Sequence, residues 1–294
     1  MGNSTFSGPV RSKAGFQHIS VAAGTGTVTA TEIVDENGII QIPSTALING
    51  TATSATGTEM EALRLSAIAT VFEDFHGTWT ATETLNADRW STTAGSGTAN
   101  AAAVTVANSL NGEVTLVTSS ANASSAADAS NLTGINLGYK ANQGGLAMEA
   151  RLKIDDIANG YIFVGFTDTI STTVERPIFL TTVAIDSDAA NACGVCFDSG
   201  GTTKQWFHGG VKANTDTAPA YSGTAPVNDT YVVIRVEISA AGAVQGFING
   251  TAIGEAVAAA VTATTALTPA IVVSNSTANT VIMTLDYIWV QQNR

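Results

Sequence analysis

Cys193 and Cys196 form a lone C-x-x-C, and His18, His76 and His208 are the only imidazoles of the 294-residue chain. A structural zinc site needs four such ligands, and the histidines fall singly, at no spacing that completes the cysteine pair. On a strand, positions i and i+3 point to opposite faces, so a disulfide between the two is equally awkward. The expectation is two buried, inert thiols with no metal and no cofactor. Nucleophilic catalysis finds no support either. Ser and Thr abound, but there is no Gly-x-Ser-x-Gly elbow and no Cys with a plausible His partner, and His208-Gly209-Gly210 is too short to argue an oxyanion hole. No catalytic residue is assigned.

The start of the chain carries a different signal. Arg11 and Lys13 are the only charges before Glu32, on a protein with 12 basic and 24 acidic side chains. A slightly basic leader on an acidic body is suited to docking on something acidic. Pro9 lacks an N–H and disfavours helix at Gly8, and the Ser, Thr and Asn side chains around it compete for backbone bonds. Residues 1–17 therefore read as an extended arm, anchored through Phe6, Pro9, Arg11, Lys13 and Phe16, that could reach roughly 55 Å. The same composition also suits an unstructured chain end.

Only 12% of residues are charged while 45% are hydrophobic. The polar surface must come from Thr, Ser, Asn and Gly, which favours strands and turns over long solvated helices. A net charge of −12 without a Lys/Arg cluster argues against nucleic acid as a partner. No apolar run approaches membrane-spanning length and no secretory signal is visible, so neither a membrane partner nor export is expected.

The pattern divides the chain into an arm (1–17), a small β-rich region and linker (18–57), a short helix or strand connector (58–70) and a large β domain (71–294). Within the second, Asn37-Gly38 between Ile33-Val34 and Ile39-Ile40 is a strong hairpin signal. Ile33, Val34, Ile39, Ile40 and Ile42 are too many apolar side chains for so small a unit to bury alone, which marks them as an oligomer interface. Thr58-Glu59-Met60-Glu61 reads as a capping box into a short helix, although Leu63, Leu65 and Ala67 also alternate.

Further on, Leu146, Met148, Ala150, Leu152 and Ile154 alternate with Ala147, Glu149, Arg151 and Lys153, predicting a strand with one face in a core and one charged face in water. Tyr161 to Phe166 is apolar on both faces and should be central. Val232 to Ile238 alternates again, followed by turns at Ala241-Gly242 and Asn249-Gly250. Val281, Met283, Leu285, Tyr287 and Trp289 are expected on one face of a strand over 280–290. Strands with repeated turn signals and no intervening helices imply an all-β, antiparallel sandwich.

Phe72-Glu73-Asp74-Phe75, Leu85-Asn86-Ala87-Asp88-Arg89-Trp90, Met148-Glu149-Ala150-Arg151-Leu152, Phe163-Val164-Gly165-Phe166-Thr167-Asp168, Gly194-Val195-Cys196-Phe197-Asp198, Arg235-Val236-Glu237-Ile238, Gly246-Phe247-Ile248-Asn249-Gly250 and Leu285-Asp286-Tyr287-Ile288 occur in an order that resembles the concanavalin A-like jelly roll of structural proteins of tailed bacteriophages. The resemblance covers about 71–294. Asn3 to Ser12, with Gly15-Phe16, separately resembles the N-terminal segment shared by phage virion proteins, particularly those of cyanophages, where it precedes otherwise different bodies.

Jelly rolls of this kind also include glycosidases and lectins. The retaining glucanases of the fold carry Glu-x-Asp-x-(x)-Glu on one strand, because two same-face carboxylates about 5 Å apart must act together. No such constellation occurs: Glu149 shares its face with Arg151 and Lys153, Asp155-Asp156 is an isolated pair at a strand end, and Asp286 has no partner carboxylate on its strand. A lectin of the legume type would need a calcium and manganese cluster, for which Asp186-Ser187-Asp188 with Asn191 is a faint candidate; a polar loop ordered by Asx turns explains it better. Among the aromatics, Trp90 and Trp289 read as core, and Trp206 is left as a possible glycan-stacking ring beside its reading as core or interface.

The resemblance implies a non-enzymatic phage virion protein that decorates or cements the capsid. Its partners would be the major capsid protein and further copies of itself, a trimer being favoured. Its place would be the capsid surface of the virion after synthesis in a host bacterial cytoplasm. The alternative is a head or tail fibre protein whose jelly roll binds host-surface glycans.

Overall fold

The computed structural model describes the backbone of residues 16–21, 28–34, 47–48, 51–52, 93–94 and 103–107, and the full residues 68–75, 90–92, 112–119, 129–134, 136–170, 176–276 and 279–293. The chain forms two compact units, Met1–Ala67 and Ile68–Arg294. In the first, β1 (Phe16–Val21) pairs antiparallel with β2 (Val28–Val34), Gln17 lying opposite Glu32 and Val21 opposite Val28. β3 (Leu47–Ile48) pairs with β4 (Thr51–Ala52). Val34 is therefore paired with the strand before it, and Ile33 falls at the register shift between Glu32 and Val34, with no residue directly opposite. The Asn37-Gly38 turn, Ile39, Ile40, Ile42, the arm residues Phe6, Pro9, Arg11 and Lys13, and the capping box at Thr58 lie outside the described residues, while Phe16 opens β1 opposite Val34.

The second unit is the expected all-β sandwich. Its first sheet runs, in spatial order, β20 (Thr251–Ala252), β19 (Val244–Ile248), β18 (Val232–Ile238), β10 (Leu146–Ile154), β22 (Ile282–Asn293), β8 (Glu113–Val117) and β7 (Ala103–Ala107), and β5 (Ile68–Glu73) pairs with β22 beyond the end of β8. Its second sheet runs β16 (Thr215–Asp216), β15 (Phe207–Lys212), β14 (Asn191–Asp198), β11 (Gly160–Thr167), β21 (Thr268–Asn275), β9 (Ser130–Gly134) and β6 (Trp90–Ala94), with β17 (Ala220–Tyr221) also against β15. Every pairing is antiparallel.

Alternation decides which side chains enter the layer between the sheets. Along β10, Leu146, Met148, Ala150, Leu152 and Ile154 are buried, while Glu149, Arg151 and Lys153 stay partly in water. β18 repeats the pattern with Ile234, Val236 and Ile238. Asn249 and Gly250, both at positive φ, make the turn from β19 to β20, and Asn249 Oδ1 accepts from Val233 N at 2.9 Å, tying that turn back to the sheet. The turn chemistry is what an Asn-Gly pair supplies.

β11 is buried along its whole length because both of its faces are covered. Ile162, Val164 and Phe166 point into the inter-sheet core, whereas Tyr161 and Phe163 belong to a second apolar layer outside the sheet. That layer is closed by Ile178, Leu180 and Ile185 from a small hairpin, β12 (Phe179–Thr181) with β13 (Ala184–Asp186). Gly165 and Gly194 sit opposite each other in register. A Cβ on either would stand within 3 Å of the Phe163 ring and of neighbouring backbone, so the glycine pair makes the bed on which that ring lies.

The last strand departs from the expected alternation. Met283 and Leu285 are buried, but so are Ile288 and Val290, and the register against β10 shifts between Arg151 and Leu152, leaving Asp286 as the extra residue of a β-bulge. One added residue reverses the faces beyond it. Tyr287 and Trp289, expected in the core with Leu285, therefore stand on the outer face of the first sheet.

Candidate functional site

That outer face gathers polar and aromatic side chains from five segments. β10 contributes Glu149, Arg151 and Lys153; β22 contributes Asp286, Tyr287 and Trp289; β5 contributes Phe72; β8 contributes Glu113; and Tyr231 immediately precedes β18. Arg151 Nη1 donates to Asp286 Oδ2 at 2.5 Å, with side-chain exposures of 38% and 16%. Its guanidinium also stands 3.9 Å from the centre of the Tyr231 ring, and Lys153 Nζ stands 4.7 Å from it. Two cations against one ring are held by the negative π-face and by the acids around them.

The phenols are tied to carboxylates. Tyr231 donates its hydroxyl to Glu113, and Tyr287 donates to Glu149 Oε1 at 2.8 Å. Burial pushes both phenols well above their usual range, and the carboxylate each one bonds raises them further. They remain protonated donors at any physiological pH. Phe72 is 55% exposed, packs against Tyr287 with ring centres 5.9 Å apart, and lies opposite Trp289 in the β5–β22 register. A cleft of about 370 Å³ opens between the Ser222–Val232 segment and β19–β20, with Tyr231, Val227, Leu152, Ile253 and Trp206 in its lining.

The remaining sequence candidates find structural employment. Trp206 is 1% exposed and meets Phe197 edge-on at 5.8 Å within the inter-sheet core. Little of the ring meets solvent, and what does lies in the lining of that cleft. Trp90 is buried in the same core. Cys193 points into the inter-sheet core and Cys196 into the outer apolar layer, on opposite faces of β14, and burial raises both thiols far above their ordinary range. His208 is buried, its Nε2 lies 3.1 Å from the Glu255 carbonyl oxygen, and burial lowers its pKa.

The carboxylates singled out earlier serve backbone and loops. Asp155 Oδ1 accepts from Ile282 N, and Asp156 accepts from Ala158 N and from Asn159. Asp186 accepts from Ser187 N and Asp188 from Arg176 N, while the Asn191 oxygen accepts from Ala213 and Thr262. Among the described residues no three metal-ligating side chains converge. Sequence reasoning saw the charged face of β10 but missed Tyr231, Glu113 and Phe72 as parts of one surface. The bulge that brings Tyr287 and Trp289 to them has no residue-type signature in the chain.

No known protein-family profile matches the chain, and no curated protein matches it in sequence. Solved structures do match in shape. A protein of unknown function from Shewanella oneidensis MR-1 is 14% identical, covers 82% of this chain and 97% of its own, and gives a TM-score of 0.50. An endo-1,3-beta-glucanase from Streptomyces sioyaensis is 13% identical over 77% of this chain and 96% of its own, with a TM-score of 0.48. Peanut lectin is 12% identical over 76% and 97%, with a TM-score of 0.47. The fold is an all-β sandwich of two antiparallel sheets. Identities of this size speak to fold alone, and function has to be argued from this chain's own surfaces.

Proposed function

We propose that the chain is a non-enzymatic virion structural protein that decorates or cements a bacteriophage capsid, attached through its N-terminal arm to the major capsid protein and displayed on the capsid surface. The observation that carries this reading is the joining of a phage-like, acid-free leader to a β body that forms a compact unit of its own from Ile68 onward. A self-contained sandwich needs no cofactor to hold its shape, and an arm gains effective concentration when many copies are mounted on one lattice. The non-enzymatic reading is supported by the employment of the described carboxylates in turns, ion pairs and phenol bonds. Subnanometre imaging of virions that carry this chain tests the reading. Density for the jelly roll at capsid lattice points is expected; density confined to the tail would overturn it.

A second reading, a head or tail fibre protein that holds host-surface glycans, is favoured by the exposed Phe72 beside Tyr287 and Trp289 on the outer face of the first sheet. One exposed ring flanked by two partly buried aromatic side chains and by hydrogen-bonding groups suits a sugar's apolar face and hydroxyl edge.

A further inference from the structure

The bulge at Asp286 has a cost and an effect. It leaves one residue of β22 unpaired in the ladder, and in return it turns Tyr287 and Trp289 out of the core and sets them beside Phe72. Bulges of this kind re-aim side chains. Without it, the simple alternation of the strand would carry both rings inward and leave Phe72 alone on the surface. Three aromatic side chains on adjacent strands thus form a single outward-facing patch, rimmed by Glu149, Arg151 and Asp286.

The rim sets the chemistry of what could lie there. Arg151 is paired with Asp286, and Glu149 accepts from Tyr287, which leaves carboxylate lone pairs and guanidinium N–H groups still free to bond outward. The rim holds one guanidinium against two carboxylates, a net charge of −1, which disfavours an anionic ligand without the dense acidic cluster a cation would need. An uncharged ligand with an apolar face and a hydroxyl edge fits this pattern. The corresponding face of the second sheet cannot compete, since Ile178, Leu180 and Ile185 close it.

We propose that the outer face of the first sheet binds a neutral glycan, one pyranose stacking on Phe72 and Trp289 while its hydroxyls meet Glu149, Arg151 and Asp286. The proposal rests on the glycan-holding reading above and names its site and ligand class. The trapped polar groups give direction and the rings give contact area, so affinity is expected to be modest for one site and useful when many copies are displayed together.

Calorimetric titration of the full chain with cellohexaose, laminarihexaose and mannohexaose tests this. Binding of at least one is expected, with Phe72→Ala weakening it about tenfold and Phe72→Trp retaining or tightening it. Phe72 is more than half exposed, so its replacement leaves the fold intact, and an unchanged thermal transition checks this. Glu149→Gln should weaken binding as well. If none of the three hexasaccharides binds at millimolar concentration, the site and the glycan-holding reading fall together. If one binds but Phe72→Ala and Glu149→Gln leave its affinity unchanged, the site is refuted and the reading stands. Tighter binding of an acidic oligogalacturonide than of all three would overturn the neutral class.

Discussion

Two small residues and one ring show how tightly the body is packed. Phe163 rests over Gly165 and Gly194, where an added methyl group would stand 2.3 to 2.4 Å from a carbonyl oxygen of the facing strand. Gly194→Ala is expected to cost about 1–3 kcal/mol by overpacking, read as a lower denaturation midpoint at unchanged slope. His208 supplies a pH dependence. Burial lowers its pKa below 6.5, so the unfolded chain binds its proton more readily than the folded one. Its contribution is therefore complete above pH 6.5 and is lost as the pH falls below that value. The denaturation free energy should drop between pH 7.5 and 5.5, and His208→Gln should flatten that slope. An unaltered slope in the variant would remove His208 as the cause. The cysteines were legible at this scale because their spacing alone put them on opposite faces of a strand. Trp206 was not, because a ring's exposure depends on what the opposite sheet places over it.

Strands read well where a single rule governs them. The alternation of β10 and β18 and the two-sided burial of β11 follow from side-chain period and hydropathy, and the turns at Gly242 and Asn249-Gly250 follow from positive φ. β22 defeats the rule. Its Met283 and Leu285 obey one phase and its Ile288 and Val290 the other, and no residue type at Asp286 announces the change. The partners supply the physical reason: β22 is flanked on one side by β8 up to Leu285 and by β5 from Ile288, so the bulge falls where the neighbour changes. Deleting Asp286 would put Tyr287 and Trp289 into the core and Ile288 and Val290 into water, and should lower the melting temperature far more than Asp286→Ala. The point substitution removes only one partly buried ion pair, expected to contribute on the order of 1 kcal/mol. Circular dichroism melts of the two variants compare them directly; equal losses would mean that the bulge does not set the register.

At the scale of the molecule, the two units differ in how much they can bury. The second unit has a continuous core between its sheets and a second apolar layer outside one of them. On one border its sheets end in β20 and β16, strands of two residues each, which leaves little edge for another chain to extend. The first unit has far fewer residues, and its sequence places Ile33, Val34, Ile39, Ile40 and Ile42 within ten positions of one another. A unit of that size rarely supplies an adequate core alone, and apolar side chains it cannot bury are covered by association. Closed symmetry keeps such association finite. The full chain is therefore expected to be a homo-oligomer, a trimer being favoured by the three-fold positions of an icosahedral shell, with the first unit as its seat. Residues 68–294 expressed alone should be monomeric and keep the thermal transition of the body. Light scattering on both proteins decides the matter: a full chain that stays monomeric at micromolar concentration and tolerates Ile33→Asp and Ile40→Asp would remove the interface, and a fragment that still forms trimers would move it onto the jelly roll.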